Sequence, residues 1–146
     1  MQIAALLPIF LIWLLRLGAI MAAVNKKQWM KELGSAIKHK KIFDLAIPGT
    51  HHSAFIPEKS FFFSFFHSKI QCQERSIEEQ LNSGIRFLDI RITNDSGNNE
   101  IVISHYLRSK ITLRKVLEEV TKFLQQNPSE LVILLIREDW DAPLTA

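Results

Sequence analysis

Ser76-Ile77-Glu78-Glu79-Gln80-Leu81-Asn82-Ser83-Gly84-Ile85-Arg86-Phe87-Leu88-Asp89-Ile90-Arg91-Ile92 decides the fold class. Ser76 and Glu79 have the spacing of a capping box, in which hydroxyl and carboxylate satisfy the free amides of a starting helix. Gly84 supplies the left-handed residue that commonly ends a helix. Ile85 to Ile92 then reads as a strand, and a helix handing over to a strand through one glycine belongs to an α/β fold. Alternation puts Ile85, Phe87, Asp89 and Arg91 on one side, so a carboxylate and a guanidinium share a face. Buried charges persist only when paired or used, which leaves two readings, a structural ion pair or an anion site. The planar arginine fork suits phosphate in particular.

Upstream, the apolar run Ile42 to Ile47 breaks at Pro48-Gly49 and leads into Thr50-His51-His52-Ser53. This is the pattern of a buried strand reaching a reactive rim, and histidine is the side chain most readily poised to move protons near neutral pH. A plain polar loop is the other reading of the same residues. Phe61, Phe62, Phe63, Phe65 and Phe66 follow, half of the ten phenylalanines in the chain. Five large rings are costly to expose, so either a later part of the fold covers them or they dip into a lipid interface.

Downstream, Thr93 to Glu100 holds a turn cluster, and Ile101 to Ser104 forms a strand that delivers His105. The connection is too short for a helical crossover between parallel strands, so an antiparallel excursion is expected. His105 alone is either a packed histidine or a catalyst. Leu113, Val116, Leu117, Val120 and Leu124 recur at helical steps, which predicts a covering helix ending near Asn127-Pro128. Leu131 to Ile136 reads as a strand covered on both faces, with Arg137, Glu138 and Asp139 at its end.

The 146 residues are 47% apolar and 23% charged, a globular balance. They are too few for a complete eight-fold α/β barrel, which takes about 250. The net charge of +3 comes without an arginine-rich, aromatic-interleaved face, which argues against nucleic acid as a partner. Cys72 is the single cysteine, so an intramolecular disulfide is excluded, and it reads as a small buried apolar residue. Residues 1–24 are almost wholly apolar and read as a signal peptide or membrane anchor, placing the protein outside the cell or at a membrane. Residues 25–41 are strongly basic, with Trp29, Met30, Leu33 and Ile37 among the lysines. They predict an amphipathic surface helix, either merely solvated or lying on anionic lipid headgroups.

Gathered at strand ends, two histidines and one or two arginines suit phosphodiester cleavage: a base, an acid and cations for the phosphorus centre. No metal-ligand spacing is evident in the sequence.

The chain from Ile42 to Glu138 resembles the X domain of phosphatidylinositol-specific phospholipase C, especially the bacterial, metal-independent type. The resemblance rests on Pro48-Gly49-Thr50-His51, on Ser76-Ile77 with Gln80-Leu81, on Gly84 to Arg91, on Ile101 to His105 and on Asn127-Pro128-Ser129-Glu130. It implies that residues 42–146 form about the first half of a TIM-type (β/α) barrel. It further implies His51 as general base on the inositol 2-hydroxyl, His105 as general acid on the leaving diacylglycerol oxygen, and Arg91 with Asp89 at the catalytic centre. His52 and Arg137 would contact substrate, and the phenylalanine run the membrane. Calcium-dependent relatives carry acidic ligands at the positions of Arg91 and Arg137, so the resemblance implies no cofactor and no calcium. The second half of such a barrel supplies inositol contacts and an acidic partner for the base. The family usually has Asp or Asn where this chain has His52, and Gly where it has Tyr106. Two functions follow: a phosphodiesterase producing diacylglycerol and cyclic inositol phosphate, and a catalytically inactive, membrane-associated phosphoinositide-binding module. In either case the missing half-barrel becomes a candidate partner.

Overall fold

A computed structural model describes residues 24–56, 71–95, 97 and 99–139. The apolar leader and the phenylalanine run Phe61 to Phe66 lie outside the described residues, apart from Val24. Five strands form one sheet: β1 (Gly49–Thr50), β2 (Phe87–Asp95), β3 (Glu100–His105), β4 (Leu107–Thr112) and β5 (Ile133–Glu138). Four helices accompany them: α1 (Trp29–Glu32), α2 (Gly34–Ile37), α3 (Ile77–Asn82) and α4 (Leu113–Gln126).

β2 organises the sheet. On one edge it pairs in parallel with β5, from Phe87↔Ile133 to Ile92↔Glu138. On the other edge, β1 pairs in parallel with Phe87 and Leu88, and β3 pairs antiparallel with Ile92 to Asp95. β1 and β3 therefore share an edge and run toward one another. Leu88 and Ile90 are fully buried on one face, with Ile77 and Leu81 of α3 and Val116, Val120 and Phe123 of α4. The opposite face carries Asp89 and Arg91.

The local signals that predict α3 and α4 hold at atomic level. Ser76 Oγ accepts from the Glu79 amide at 3.2 Å, and the Glu79 carboxylate accepts from the Ser76 amide at 2.8 Å. Gly84 sits at φ +102°, where a Cβ would be strained. Thr112 caps α4 by accepting from the Lys115 amide at 3.2 Å, and the helix ends at Gln126.

Three expectations need correction, and one strand has no counterpart among them. The run Ile42 to Ile47 is not a strand: Ile42–Asp44 is a 3₁₀ turn and Phe43 is 95% exposed. Only Gly49 and Thr50 join the sheet, and the reason is local. The Pro48 carbonyl takes both the Arg86 and Phe87 amides, and a Cβ on Gly49 would stand 3.0 Å from that of Phe87. The single helix expected over residues 25–41 is instead a 3₁₀ turn, Lys26–Gln28, followed by α1 and α2, which break at Leu33. β5 is not covered on both faces, since Leu135 and Ile136 are exposed on this outermost strand among the described residues. β4 was not predicted; it follows β3 through Tyr106 alone, with His105 opposite Leu107.

The Asn127-Pro128-Ser129-Glu130 motif fastens the N-terminal segment to the base of β2. Arg86 and Glu130, both side chains wholly buried, pair at 2.8 Å. Glu130 also accepts from the Lys31 amide at 3.0 Å, while Arg86 donates to the Leu81, Ile85 and Lys27 carbonyls. Asn127 accepts from Gln28 Nε2 at 3.1 Å. Removing one partner of such a pair strands a buried charge, at a cost of about 3–5 kcal/mol. Glu130→Gln is expected to lower urea-denaturation stability by about that amount, and a loss well under 1 kcal/mol would contradict this role.

Candidate active site

β1 delivers His51 and His52 beside Asp89 because the chain keeps tracking β2 after the strand ends. The Ser53 amide donates to the Asp89 carbonyl at 2.8 Å, and Ser53 Oγ accepts from the Asp89 amide at 2.9 Å. Gln80 Nε2 donates to the Ser53 carbonyl at 2.7 Å, and Thr50 Oγ1 donates to Gln80 Oε1 at 2.7 Å, so α3 helps to fix the turn. Gln73 Nε2 donates to the His51 carbonyl at 2.7 Å.

His105 arrives on the antiparallel excursion expected from the short connection, since β3 pairs antiparallel with β2. Continuing its register from Ile92↔Ile103 sets His105 level with Ile90, next to where β1 ends. Strands advancing from opposite directions thus bring the three imidazoles into a row. The His51 and His52 ring centroids are 4.1 Å apart and those of His52 and His105 3.8 Å. Phe55 packs edge-on against His105 at 5.6 Å, and the Tyr106 ring lies 4.4 Å from it.

Asp89 is the hub. Its residue exposure is 4%, and its carboxylate accepts from Arg91 Nε at 2.9 Å and Arg91 Nη2 at 3.2 Å, with His51 Nδ1 at 2.8 Å and Arg137 Nη2 at 3.6 Å beside it. Burial pushes the Asp89 carboxyl upward. The hydrogen bonds and charge of Arg91, with Arg137 and His51, outweigh it and hold the group below the usual carboxylate range. Asp89 in turn raises the Arg91 guanidinium, aided by the charge of Asp139. Asp139, placed by the sequence at the end of the last strand but not among the candidate site residues, is buried and accepts from Ser104 Oγ at 2.7 Å. The structural ion pair is present, and it sits on the face that holds the histidines.

His51 itself is open, with its side chain 70% exposed. An imidazole held through Nδ1 by a carboxylate keeps Nε2 available to take a proton. Among the described residues, the carboxylate beside His51 is that of Asp89. Arg91 and Arg137 are register partners on neighbouring strands. Both guanidiniums face the Asp89 carboxylate, at 2.9 and 3.6 Å, and the charge of Asp139 also acts on Arg91.

The two departures from the family pattern share one geometry. His52 has φ +46° and Tyr106 φ +57°, both left-handed. Such conformations suit Gly, Asn and Asp, which are the residues usual at these positions.

Imidazoles and guanidiniums are thus gathered round one carboxylate on an α/β sheet. Residues 46–145 match the family model of the phosphatidylinositol-specific phospholipase C X domain, and the chain belongs to that family. It is 30% identical over 117 residues to a 1-phosphatidylinositol phosphodiesterase of Listeria monocytogenes, covering 80% of this chain and 34% of that protein. A Staphylococcus aureus protein of the same name is 29% identical over 121 residues, covering 81% and 36%. The solved Listeria monocytogenes phosphatidylinositol-specific phospholipase C superposes with a TM-score of 0.60 at 31% identity, covering 79% of this chain and 39% of that one. The H258Y mutant of the Staphylococcus aureus enzyme gives 0.67 at 26%, covering 84% and 39%. The sheet is accordingly part of a TIM-type barrel, and the chain spans between a third and two-fifths of the length of these relatives.

Burial, then the charges of His105, His51 and Arg91, lower the His52 pKa to about 4. Unfolding restores the ordinary value of about 6.5. Between these values the unfolded chain binds more protons, so this contribution to stability is complete above pH 6.5 and is lost as pH falls toward 4. His52→Asn, which also suits the left-handed backbone, should remove that loss. Denaturant unfolding at pH 7 and pH 5 measures it, and an equal fall in stability for both proteins would contradict the assignment.

Proposed function

We propose that the protein is a phosphatidylinositol phosphodiesterase of the phospholipase C type, acting by imidazole acid-base catalysis. The observation that carries this reading is the 2.8 Å contact between His51 Nδ1 and the buried Asp89 carboxylate, beside an exposed imidazole edge. His51 Nε2 takes the proton of the inositol 2-hydroxyl as that oxygen attacks phosphorus. Arg91 and Arg137 hold the anionic phosphoryl oxygens, whose charge grows in the transition state. His105 donates a proton to the departing diacylglycerol oxygen, leaving a cyclic inositol phosphate. The substrate supplies its own nucleophile, and the arginines supply the positive charge that calcium would otherwise bring, so no calcium is required.

Membrane contact fits the exposed basic segment. Phe43 projects into solvent next to the exposed Lys40 and Lys41, a pairing suited to an anionic lipid surface. The run Phe61 to Phe66 would add to it, and the apolar residues 1–24 would act as export signal or anchor. Among the described residues, no helix is long and apolar enough to cross a membrane. The remaining half of the barrel, from a longer chain or a partner, would complete the inositol contacts.

One observation favours the inactive binding module: the His52 ring lies between base and acid. Diacylglycerol release from phosphatidylinositol vesicles, measured with calcium chelated, separates the two. Turnover is expected in the wild type, and His51→Ala and His105→Ala should each reduce it by about 10²–10⁴-fold. Equal turnover in all three proteins would overturn the mechanism, and vesicle co-sedimentation without product would favour the binding module.

A further inference from the structure

We propose that His52, Cys72 and His105 form a binding site for one borderline-soft divalent cation of the zinc type, with a coordination position left open. One ligand atom from each residue lies within 4.8 Å of the other two. They come from the turn after β1, from the segment preceding α3 and from the end of β3, so only the tertiary fold assembles them. Two imidazoles and a thiol favour zinc or copper over the hard cations, which take oxygen ligands.

Tetrahedral zinc, with Zn–N of about 2.0–2.1 Å and Zn–S of about 2.3 Å, would set the ligand atoms roughly 3.3–3.6 Å apart. The cluster must therefore contract by at most about 1.5 Å, which side-chain rotation can supply. The second observation is independent of the thiol. His52 is only 6% exposed, yet its Nδ1 is buried without a hydrogen-bond partner among the described residues. Buried polar atoms are normally satisfied, and a histidine orphaned beside a thiol and a second imidazole is a ligand in waiting. Burial pushes the Cys72 thiol up, which opposes ionisation in the metal-free protein. Coordination displaces that proton: thiol and M²⁺ become a metal thiolate and H⁺.

The consequence for catalysis rests on the function proposed above. A His105 nitrogen bound to a cation cannot deliver a proton, so zinc acts there as an inhibitor. The binding claim stands separately and is tested without turnover.

Metal-stripped protein is titrated with Co²⁺, whose spectrum reports thiolate ligation and coordination number. One equivalent should give a thiolate-to-cobalt charge-transfer band with the visible bands of a tetrahedral ion, and Zn²⁺ should bleach both. Cys72→Ser should lose the charge-transfer band. His52→Asn should weaken binding roughly a hundredfold or more, since even outer-shell partners cost about 10–100-fold. The wild-type protein offers a check free of variants: as the single cysteine, Cys72 should be alkylated by iodoacetamide markedly more slowly with one equivalent of Zn²⁺. In turnover assays, zinc should inhibit the wild type, and the ratio of activities with and without zinc should move toward one in Cys72→Ser. Absence of a thiolate band, or alkylation at an unchanged rate, would overturn the site whether or not the protein cleaves lipid. A cobalt site without turnover would leave the metal inference standing and count against the catalytic reading alone.

Discussion

The Asp89 carboxylate is the constraint from which the site takes its form. A buried carboxylate must be matched by cations or hydrogen bonds, and this one is matched by His51, Arg91 and Arg137 at once. Its backbone is equally committed, since the Asp89 amide and carbonyl both bind Ser53 and so hold the turn that carries the histidines. One residue therefore sets the position of the turn, the orientation of the exposed imidazole and the direction of two guanidiniums. Neutralising it would disturb all three together.

The opposite end of β2 solves a structural problem with the same chemistry. Arg86 and Glu130, wholly buried, draw the N-terminal turns, α3 and the start of β5 onto one point. That pair satisfies its hydrogen bonds within the protein and leaves nothing open to a ligand. The Asp89 cluster differs by leaving His51 exposed and Arg137 half-exposed. Burial at one end and access at the other distinguish fastening from chemistry along a single strand.

Signals carried by neighbouring residues were legible in the sequence. Ser76 with Glu79, Gly84, the alternation through Arg91 and the stripe from Leu113 to Leu124 each gave an element close to its observed place. Features that depend on distant partners were not. β4 escaped notice because its turn is made by Tyr106 in a left-handed conformation, without the usual glycine or asparagine. Ile42 to Ile47 is apolar enough for a strand, yet what joins the sheet depends on how closely Gly49 can approach Phe87. His51, Asp89, Arg91 and His105 were each identifiable as chemical groups. The contact of Asp89 with His51, the burial of Asp139 and the approach of Cys72 to two imidazoles are tertiary facts that no local pattern announces.

The central claim is that Asp89 holds His51 with its proton on Nδ1 and its lone pair on Nε2. Nitrogen-15 NMR of the imidazole side chains, with His51 assigned by substitution, tests it most directly. The account predicts that neutral His51 is protonated at Nδ1 and bare at Nε2. A neutral His51 carrying its proton on Nε2 would contradict it.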